Sequence, residues 1–377
     1  MTTTLEETRP GIGKVVPSLL ATIFVLAVAG IWMFVALQRT TNLLGIGGGL
    51  LLVALAAGLA LFLIIEFGLL RLVSLTQAGA IMRVTYYEAL LQPFTLILLV
   101  VGVACVVIFA FVPFFTLNED AKMYRDVGVS FALLFTLPVM IFSASKVIDE
   151  EIENRTMLTL MSKPVTRTQV VLGKYAGVLL VCLVNMAIIG GVVAVCAYVR
   201  YRDDMRLDYV VSKSATEWAA LDTQNVRAIM ALAPALILEF LQIAALAAVA
   251  VAISTRWGLA FNITAISLLY VFANLTQFVD TLHLPQPWQG MLVSVSSVLP
   301  HLSAFDLNQR LIYGQFVTAG DVSQLAIGDM ASHKAAAELP TWTQIWLYVG
   351  KATVYAVLYI GAALSAGVAL FRTRELS

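Results

Sequence analysis

Charged side chains are scarce in this chain: Asp, Glu, Lys and Arg make up 12% of its 377 residues, whereas hydrophobic residues make up 60%. A soluble globular domain carries about 25% charged residues, so the composition excludes a surface that faces water on every side. Acidic and basic residues number 23 each, and this balance leaves no overall positive field to attract nucleic acid. We therefore expect a protein of the lipid membrane without a nucleic-acid partner.

Cysteine is equally scarce. The chain has three, Cys105, Cys182 and Cys196, and all of them lie inside apolar runs. An odd number of thiols within lipid-length helices makes no disulfide framework. We expect these cysteines to be small apolar packing residues.

Long apolar runs are abundant, and a helix needs about 20 apolar residues to cross the hydrocarbon core. Eight runs are predicted to cross it: Val16–Leu37, Leu43–Leu70, Phe94–Phe115, Val129–Phe142, Gly173–Val199, Ile229–Ile253, Leu259–Val279 and Trp342–Phe371. The short fourth run extends to Val147 if the Lys146 side chain reaches the interface. The first run is longer than the apolar region of a signal peptide and is expected to be retained. The predicted fold is an all-α, polytopic membrane protein.

Basic residues in short loops set the orientation of such a protein, because cytoplasmic loops are enriched in Lys and Arg. The loop at 146–172 carries four of them, Lys146, Arg155, Lys163 and Arg167. We therefore expect this loop and both termini on the cytoplasmic side of the cell (inner or plasma) membrane.

Residues 71–92 interleave apolar and polar positions before Pro93. This pattern predicts an amphipathic helix that lies in the membrane interface, with Tyr86 and Tyr87 in the interfacial aromatic belt. An ordinary connection between two spans is the alternative.

The loop after the fourth span begins with four carboxylates, Asp149, Glu150, Glu151 and Glu153. Acidic residues stabilise the first turn of a helix through the macrodipole, so we expect a charged surface helix at 149–162. It should end before Pro164, because proline disfavours helical backbone in the preceding residue. Thr166 and Gln169 then fit a capping box that begins the fifth span. A solvated loop is the alternative.

At these residues the chain resembles the type-2 ABC exporter permeases. The similarity is carried by Glu151-Ile-Glu153-Asn154-Arg155-Thr156, Leu160, Ser162-Lys163-Pro164-Val165-Thr-Arg167 and Gly173-Lys174-Tyr175. It is closest to the NosY-like permeases of nitrous-oxide-reductase maturation and to the gliding-motility permeases.

The resemblance implies a six-helix permease domain at 71–377, with an interfacial elbow at 71–92, a cytoplasmic coupling helix at 149–162 and an outer interfacial segment at 280–341. The transmembrane helices within 1–70 are additional to the usual pattern. The coupling helix would dock on a separate ABC ATP-binding subunit. The residues expected to take part in this ATPase coupling are Glu150, Glu151, Glu153, Asn154, Arg155, Thr156, Lys163, Pro164, Arg167, Gly173 and Lys174.

The implied partners are this ATP-binding subunit, membrane lipid and a second permease in a homodimer or heterodimer, with an outer accessory protein as a further candidate. The chain has no nucleotide site of its own, because a P-loop requires G-x-x-x-x-G-K-[ST]. Thr168 and Ile345 stand where the first glycine would precede the Gly-Lys pairs at 173–174 and 350–351. We expect no cofactor on this chain, no enzymatic activity of its own, and ATP with Mg²⁺ on the partner.

Two carboxylates, Glu66 and Glu239, fall inside predicted spans, and ionisable residues at membrane depth are functional candidates. Glu66 is near enough to Arg71 to pair with it. Glu239 is the stronger candidate, with a structural hydrogen-bonding role as the alternative. The three histidines, His283, His301 and His333, have spacings that match no metal-ligand motif, so we expect no metal site.

Three functions remain in competition. The first is a permease, with its ATPase on a partner. The second is a membrane subunit that transmits mechanical force to an outer partner without moving a solute. The third is a membrane-embedded enzyme, which would require paired catalytic groups at one depth; Glu66 and Glu239 are single carboxylates.

Overall fold

The computed structural model describes residues 76–112, 120–153, 166–207, 225, 228–275, 300–305 and 342–372, all within the compact unit Gly58–Ser377. The helices are α1 (Gln77–Leu90), α2 (Pro93–Phe111), α3 (Asp120–Glu153), α4 (Arg167–Leu207), α5 (Leu232–Ser254), α6 (Leu259–Leu275), the 3-10 turn Leu302–Phe305 and α7 (Trp342–Arg372). The predicted spans Val16–Leu37 and Leu43–Leu70, and Glu66 with them, lie outside the described residues.

Five helices of the described part are long and apolar enough to cross a membrane: Pro93–Phe111, Asp120–Lys146, Arg167–Tyr201, Ala228–Ser254 and Trp342–Phe371. α6 is also apolar, and 17 of its residues are described. These helices confirm the prediction of an all-α, polytopic membrane protein, while the total of eight spans stays a prediction.

The boundaries of α3 differ from the sequence-based expectation. The fourth span was expected at Val129–Phe142, but α3 begins at Asp120 and ends at Glu153. The apolar run underestimates the helix because its first turns carry charges that the bundle accommodates. The Asp120 carboxylate pairs with Arg200 of α4 at 3.0 Å, and Arg125 is buried.

The two ends of α4 define the two ends of the bundle. Arg167 and Arg200 are 33 residues apart, about 50 Å of helix, which exceeds the full bilayer thickness of about 40–45 Å. We call the region of Arg167, Glu153 and Phe371 the Arg167 end, and the region of Arg200, Val112 and Asp120 the Arg200 end.

α4 and α5 form the centre of the described bundle. Of the residues in the most apolar part of each helix, 61% of α4 and 67% of α5 are buried, compared with 17% of α2 and 22% of α7. The central helices approach their neighbours closely at small residues. A Cβ at Gly128 of α3 would overlap Val193 of α4, and one at Gly190 of α4 would overlap Leu236 of α5.

α1 lies along the outside of α4. Thr76 caps its first turn by accepting a hydrogen bond from the Gly79 N–H at 3.1 Å. One face packs inward at Met82, Tyr86 and Ala89, while Val84 on the opposite face is 66% exposed. Tyr86 is completely buried, so its expected place in an interfacial aromatic belt is wrong; the side chain packs in a cluster with residues of α4.

Candidate functional site

The acidic residues expected to begin a surface helix at 149 instead belong to the last turns of α3, which runs without interruption from Asp120 to Glu153. No glycine or proline stands between Pro138 and Glu153, so nothing in the sequence breaks the helix before these residues. Asp149, Glu150, Glu151 and Glu153 therefore continue α3 and do not begin a separate helix.

The rest of the predicted coupling segment, including Asn154, Arg155, Thr156, Lys163 and Pro164, lies outside the described residues. The structure does describe the carboxyl-terminal boundary of this segment, at Thr166. The Thr166 N–H donates to Gln169 Oε1 at 3.0 Å, and the Gln169 N–H donates to Thr166 Oγ1 at 3.3 Å. This reciprocal pair is the predicted capping box, and it fixes Arg167 as the first residue of α4.

The Arg167 side chain contacts the carboxyl end of α7. Its Nη1 donates to the Phe371 carbonyl oxygen at 2.7 Å, and its guanidinium lies over the Phe371 ring at 5.4 Å from the centroid. The contact joins residues 204 positions apart, and local sequence patterns give no sign of it. It connects the start of α4 to the end of the last helix.

The Gly-Lys-Tyr run at 173–175 is positioned for packing inside the bundle. A Cβ at Gly173 would lie 2.7 Å from the Ala78 carbonyl oxygen of α1, and one at Gly177 would lie 2.7 Å from Thr85 Cβ. Two glycines four residues apart thus let successive turns of α1 pack against α4. Sequence reasoning missed this G-x-x-x-G pattern, although its spacing was visible.

The two residues that follow Gly173 also point into the protein. Lys174 is 1% exposed, and the Tyr175 hydroxyl donates to the Ala244 carbonyl oxygen of α5 at 3.2 Å. Because Gly173 and Lys174 are buried, any part that they take in coupling is exerted through the helix bundle rather than by direct contact with a docked subunit.

Glu239 lies on α5 and is 4% exposed. It is seven residues from the start of the helix, about 10 Å along its axis, and thus within the hydrocarbon depth. Its carboxylate is near enough to Tyr270 of α6 for an electrostatic interaction, and Gln242, one turn further along α5, is also buried. Glu239 and Gln242 are thus two buried polar side chains about one turn apart on α5.

A short segment, Pro300 and His301 followed by the 3-10 turn Leu302–Phe305, packs against α5 and α6 and is hydrogen-bonded to α7. The His301 N–H donates to the Tyr355 hydroxyl at 3.0 Å, and the Tyr348 hydroxyl donates to the Ala304 carbonyl oxygen at 2.7 Å. These tyrosines are about 9 Å and about 20 Å along α7 from its start at Trp342. The two tyrosines thus hold the backbone of this segment at two points along α7.

Most of the predicted outer segment 280–341, with His283 and His333, lies outside the described residues. The His301 side chain is exposed. In the described ranges there is no group of three or more His, Cys, Asp or Glu residues that could hold a metal ion.

The Arg200 end contains a second arginine contact that sequence reasoning missed. Arg200 Nη1 donates to the carbonyl oxygens of Ala110 and Val112 at the end of α2. Its Nη2 donates to Asp120 Oδ2 at 3.0 Å. One guanidinium thereby joins α2, α3 and α4.

Comparison with known protein families gives one result that covers more than half of the chain. A family model described as "ABC-2 family transporter protein" matches residues 112–365. No curated protein matches the chain. The matched range extends from the end of α2 into α7 and includes Arg167, Arg200 and Glu239.

Proposed function

Because this chain belongs to the ABC-2 transporter family, we propose that it is the membrane-spanning permease subunit of an ATP-driven exporter. A separate ABC ATP-binding subunit holds ATP and Mg²⁺ and docks at the Arg167 end, on the segment 149–167. The Arg167 end then faces the cytoplasm, in the cell (inner or plasma) membrane. A second permease copy, identical or different, completes the pathway, and NosY-like permeases are the branch that the sequence favours.

The observation that carries the proposal is the convergence of two helix ends on one segment. α3 ends in an acidic turn at Glu153, and α4 begins at Arg167 behind its capping box. α3 and α4 pack against each other through the membrane, with Asn185 Nδ2 donating to Thr136 Oγ1 at 2.9 Å in the buried interior. A displacement of the Arg167 end would therefore move α3 and α4 together, because the two helices pack against each other.

The acidic turn supplies the recognition chemistry. Four carboxylates in the last described turns of α3, Asp149, Glu150, Glu151 and Glu153, would offer a basic surface on the partner both electrostatic steering and a fixed orientation of docking. Closure of two ATP-binding subunits would displace the ends of α3 and α4 as rigid elements. The helices of the permease would then alternate between cytoplasmic and outer openings.

A charge-reversal pair tests the docking site. We expect Glu151→Lys with Glu153→Lys to abolish most co-purification of the ATP-binding subunit, and with it the stimulation of ATP hydrolysis, while membrane insertion is retained. The matched control is Asp203→Lys with Asp204→Lys, which reverses two acids on α4 at the Arg200 end and should leave co-purification unchanged. Normal binding and stimulation by the Glu151/Glu153 variant would contradict the docking assignment.

A transport assay separates the proposal from its alternatives. Reconstituted complex that hydrolyses ATP and moves a solute supports the permease. ATP hydrolysis that is coupled to movement of an outer protein, without solute flux, would support the mechanical subunit instead. Absence of an associated ATP-binding subunit in the purified native complex would reject both.

A further inference from the structure

Arg167 is an unfavourable residue for the place it occupies on α4. It is the first helical residue after the Thr166 cap, where the macrodipole presents partial positive charge. A cation in that turn is destabilising by roughly 0.3–1 kcal/mol, the reverse of the benefit it brings at a carboxyl end. A residue that breaks a local rule at a well-formed helix start indicates a compensating interaction elsewhere.

The compensating interaction is with α7. The guanidinium donates to the Phe371 carbonyl oxygen at 2.7 Å and lies over the Phe371 ring. This carbonyl lies one residue before Arg372, the last described residue of α7. Phe371 itself is 1% exposed, so the contact is anchored in packed protein rather than in a fraying tail.

α7 in turn reaches two parts of the bundle. Near its carboxyl end, a Cβ at Gly367 would lie 2.9 Å from Ala252 Cα, so the backbones of α7 and α5 are in close contact there. Sixteen residues before Phe371, the Tyr355 hydroxyl accepts a hydrogen bond from the backbone N–H of His301, which directly precedes the 3-10 turn Leu302–Phe305. A shift of the carboxyl end of α7 is therefore carried about 24 Å along the helix to that segment.

We infer that Arg167 is a positioning residue of the transport cycle, through which displacement of the start of α4 is passed to α7 and onward to residues 300–305. The inference rests on the proposed function, because the ATP-binding subunit supplies the displacement. Arg167 thus acts within the permease, as the link between the docking region and the last helix.

A distance measurement in the assembled complex tests the link. Spin labels are placed at Ile97→Cys on α2 and Ser365→Cys on α7, both exposed positions, in a background where Cys105, Cys182 and Cys196 are alanine. The α2–α7 distance is measured in nanodiscs without nucleotide and with ATP plus vanadate. We expect Arg167→Ala to reduce the nucleotide-dependent change in distance to less than half of that in the unsubstituted complex, compared only in complexes that contain a bound ATP-binding subunit.

Two further variants and one control variant distinguish loss of the Arg167–Phe371 contact from a general loss of structure. Arg167→Lys keeps a donor for the carbonyl but not the planar stacking, so it should restore part of the change. Phe371→Leu keeps the main-chain carbonyl and removes the ring, so it should give a smaller reduction than Arg167→Ala. Arg256→Ala, at an exposed arginine just beyond α5 on the same end, should behave as the unsubstituted complex.

The outcomes distinguish the two levels of the proposal. A full distance change in Arg167→Ala, or an equal reduction in Arg256→Ala, overturns the link while leaving the permease function intact. Failure of the unsubstituted protein to bind an ATP-binding subunit, or to respond to nucleotide, overturns the proposed function itself.

Discussion

Each end of the helix bundle contains an arginine of α4 that donates to a neighbouring helix, and the Arg200 end adds an ion pair. At each end an arginine of α4 donates to carbonyl oxygens at the carboxyl end of another helix: Arg167 to α7 and Arg200 to α2. Arg200 is also paired with the Asp120 carboxylate, with both side chains less than one fifth exposed. The Arg200 contact thereby joins three helices with an ion pair, whereas the Phe371 contact of Arg167 joins two.

We propose that the Arg200 end holds the bundle together and that the Arg167 end transmits movement. Hydrogen bonds to charged groups contribute about 1.5–3 kcal/mol each, and the Arg200 guanidinium makes such bonds to both α2 and α3. The Phe371 contact of Arg167 instead combines one carbonyl hydrogen bond with ring stacking. On this proposal Arg200 is an anchor for three helices and Arg167 is a link between α4 and α7.

The largest expected effect is on stability at the Arg200 end. Arg200→Ala should destabilise the protein by about 2–3 kcal/mol, because it removes the contacts of one guanidinium with both α2 and α3, whereas Arg167→Ala should cost about 1 kcal/mol. Thermal unfolding of the purified protein in one detergent, with Arg256→Ala as the reference substitution, measures both. An equal or larger loss for Arg167→Ala would remove the distinction between the two ends.

An intermediate effect is expected from the packing of α1 near the Arg167 end. Gly173→Ala places a Cβ 2.7 Å from a backbone oxygen of α1, so α1 must shift, at a cost of about 1–3 kcal/mol. Gly191→Ala, on the same helix but with nothing within 4 Å of its Cβ, should be neutral or slightly stabilising, because alanine favours helix. The same thermal assay compares them, and indistinguishable midpoints would show that α1 does not pack as described.

The smallest effect on stability is expected between the two ends, at Glu239. Glu239→Gln preserves side-chain size and should change the free energy of unfolding by less than about 1 kcal/mol. It should lower the ATP-driven activity of the complex several-fold, because the carboxylate is expected to take part in movement of α5 against α6. Glu66→Gln should do little to either. Equal, unchanged activity of both variants would assign Glu239 a packing role.

Local chemistry explains what was predictable from sequence. The capping box at Thr166 and Gln169 was predicted because both hydrogen bonds join residues three positions apart. The all-α membrane architecture followed from the length of the apolar runs. The family resemblance was recognised from residues around the same loop and agrees with the matched family model, although the branch within the family stays a proposal.

What could not be predicted depends on contacts between distant parts of the chain. The start of α3 was missed because Asp120 is acceptable at a membrane edge only when Arg200 is opposite, 80 residues away. The supposed helix start at 149 was wrong because acidic residues were interpreted by the macrodipole rule alone, whereas α3 had no reason to stop before them. Tyr86 was assigned to the interface because its composition pattern does not reveal which face α4 covers.

The orientation of the two ends is the central claim, and site-directed labelling tests it most directly. Single cysteines at Glu153→Cys and Asp203→Cys, in the cysteine-free background, are treated with a membrane-impermeant maleimide in intact cells and in inverted membrane vesicles. We predict that position 153 reacts only in inverted vesicles and position 203 only in intact cells. Reaction of position 153 in intact cells would place the Arg167 end outside, where no ATP-binding subunit could reach it.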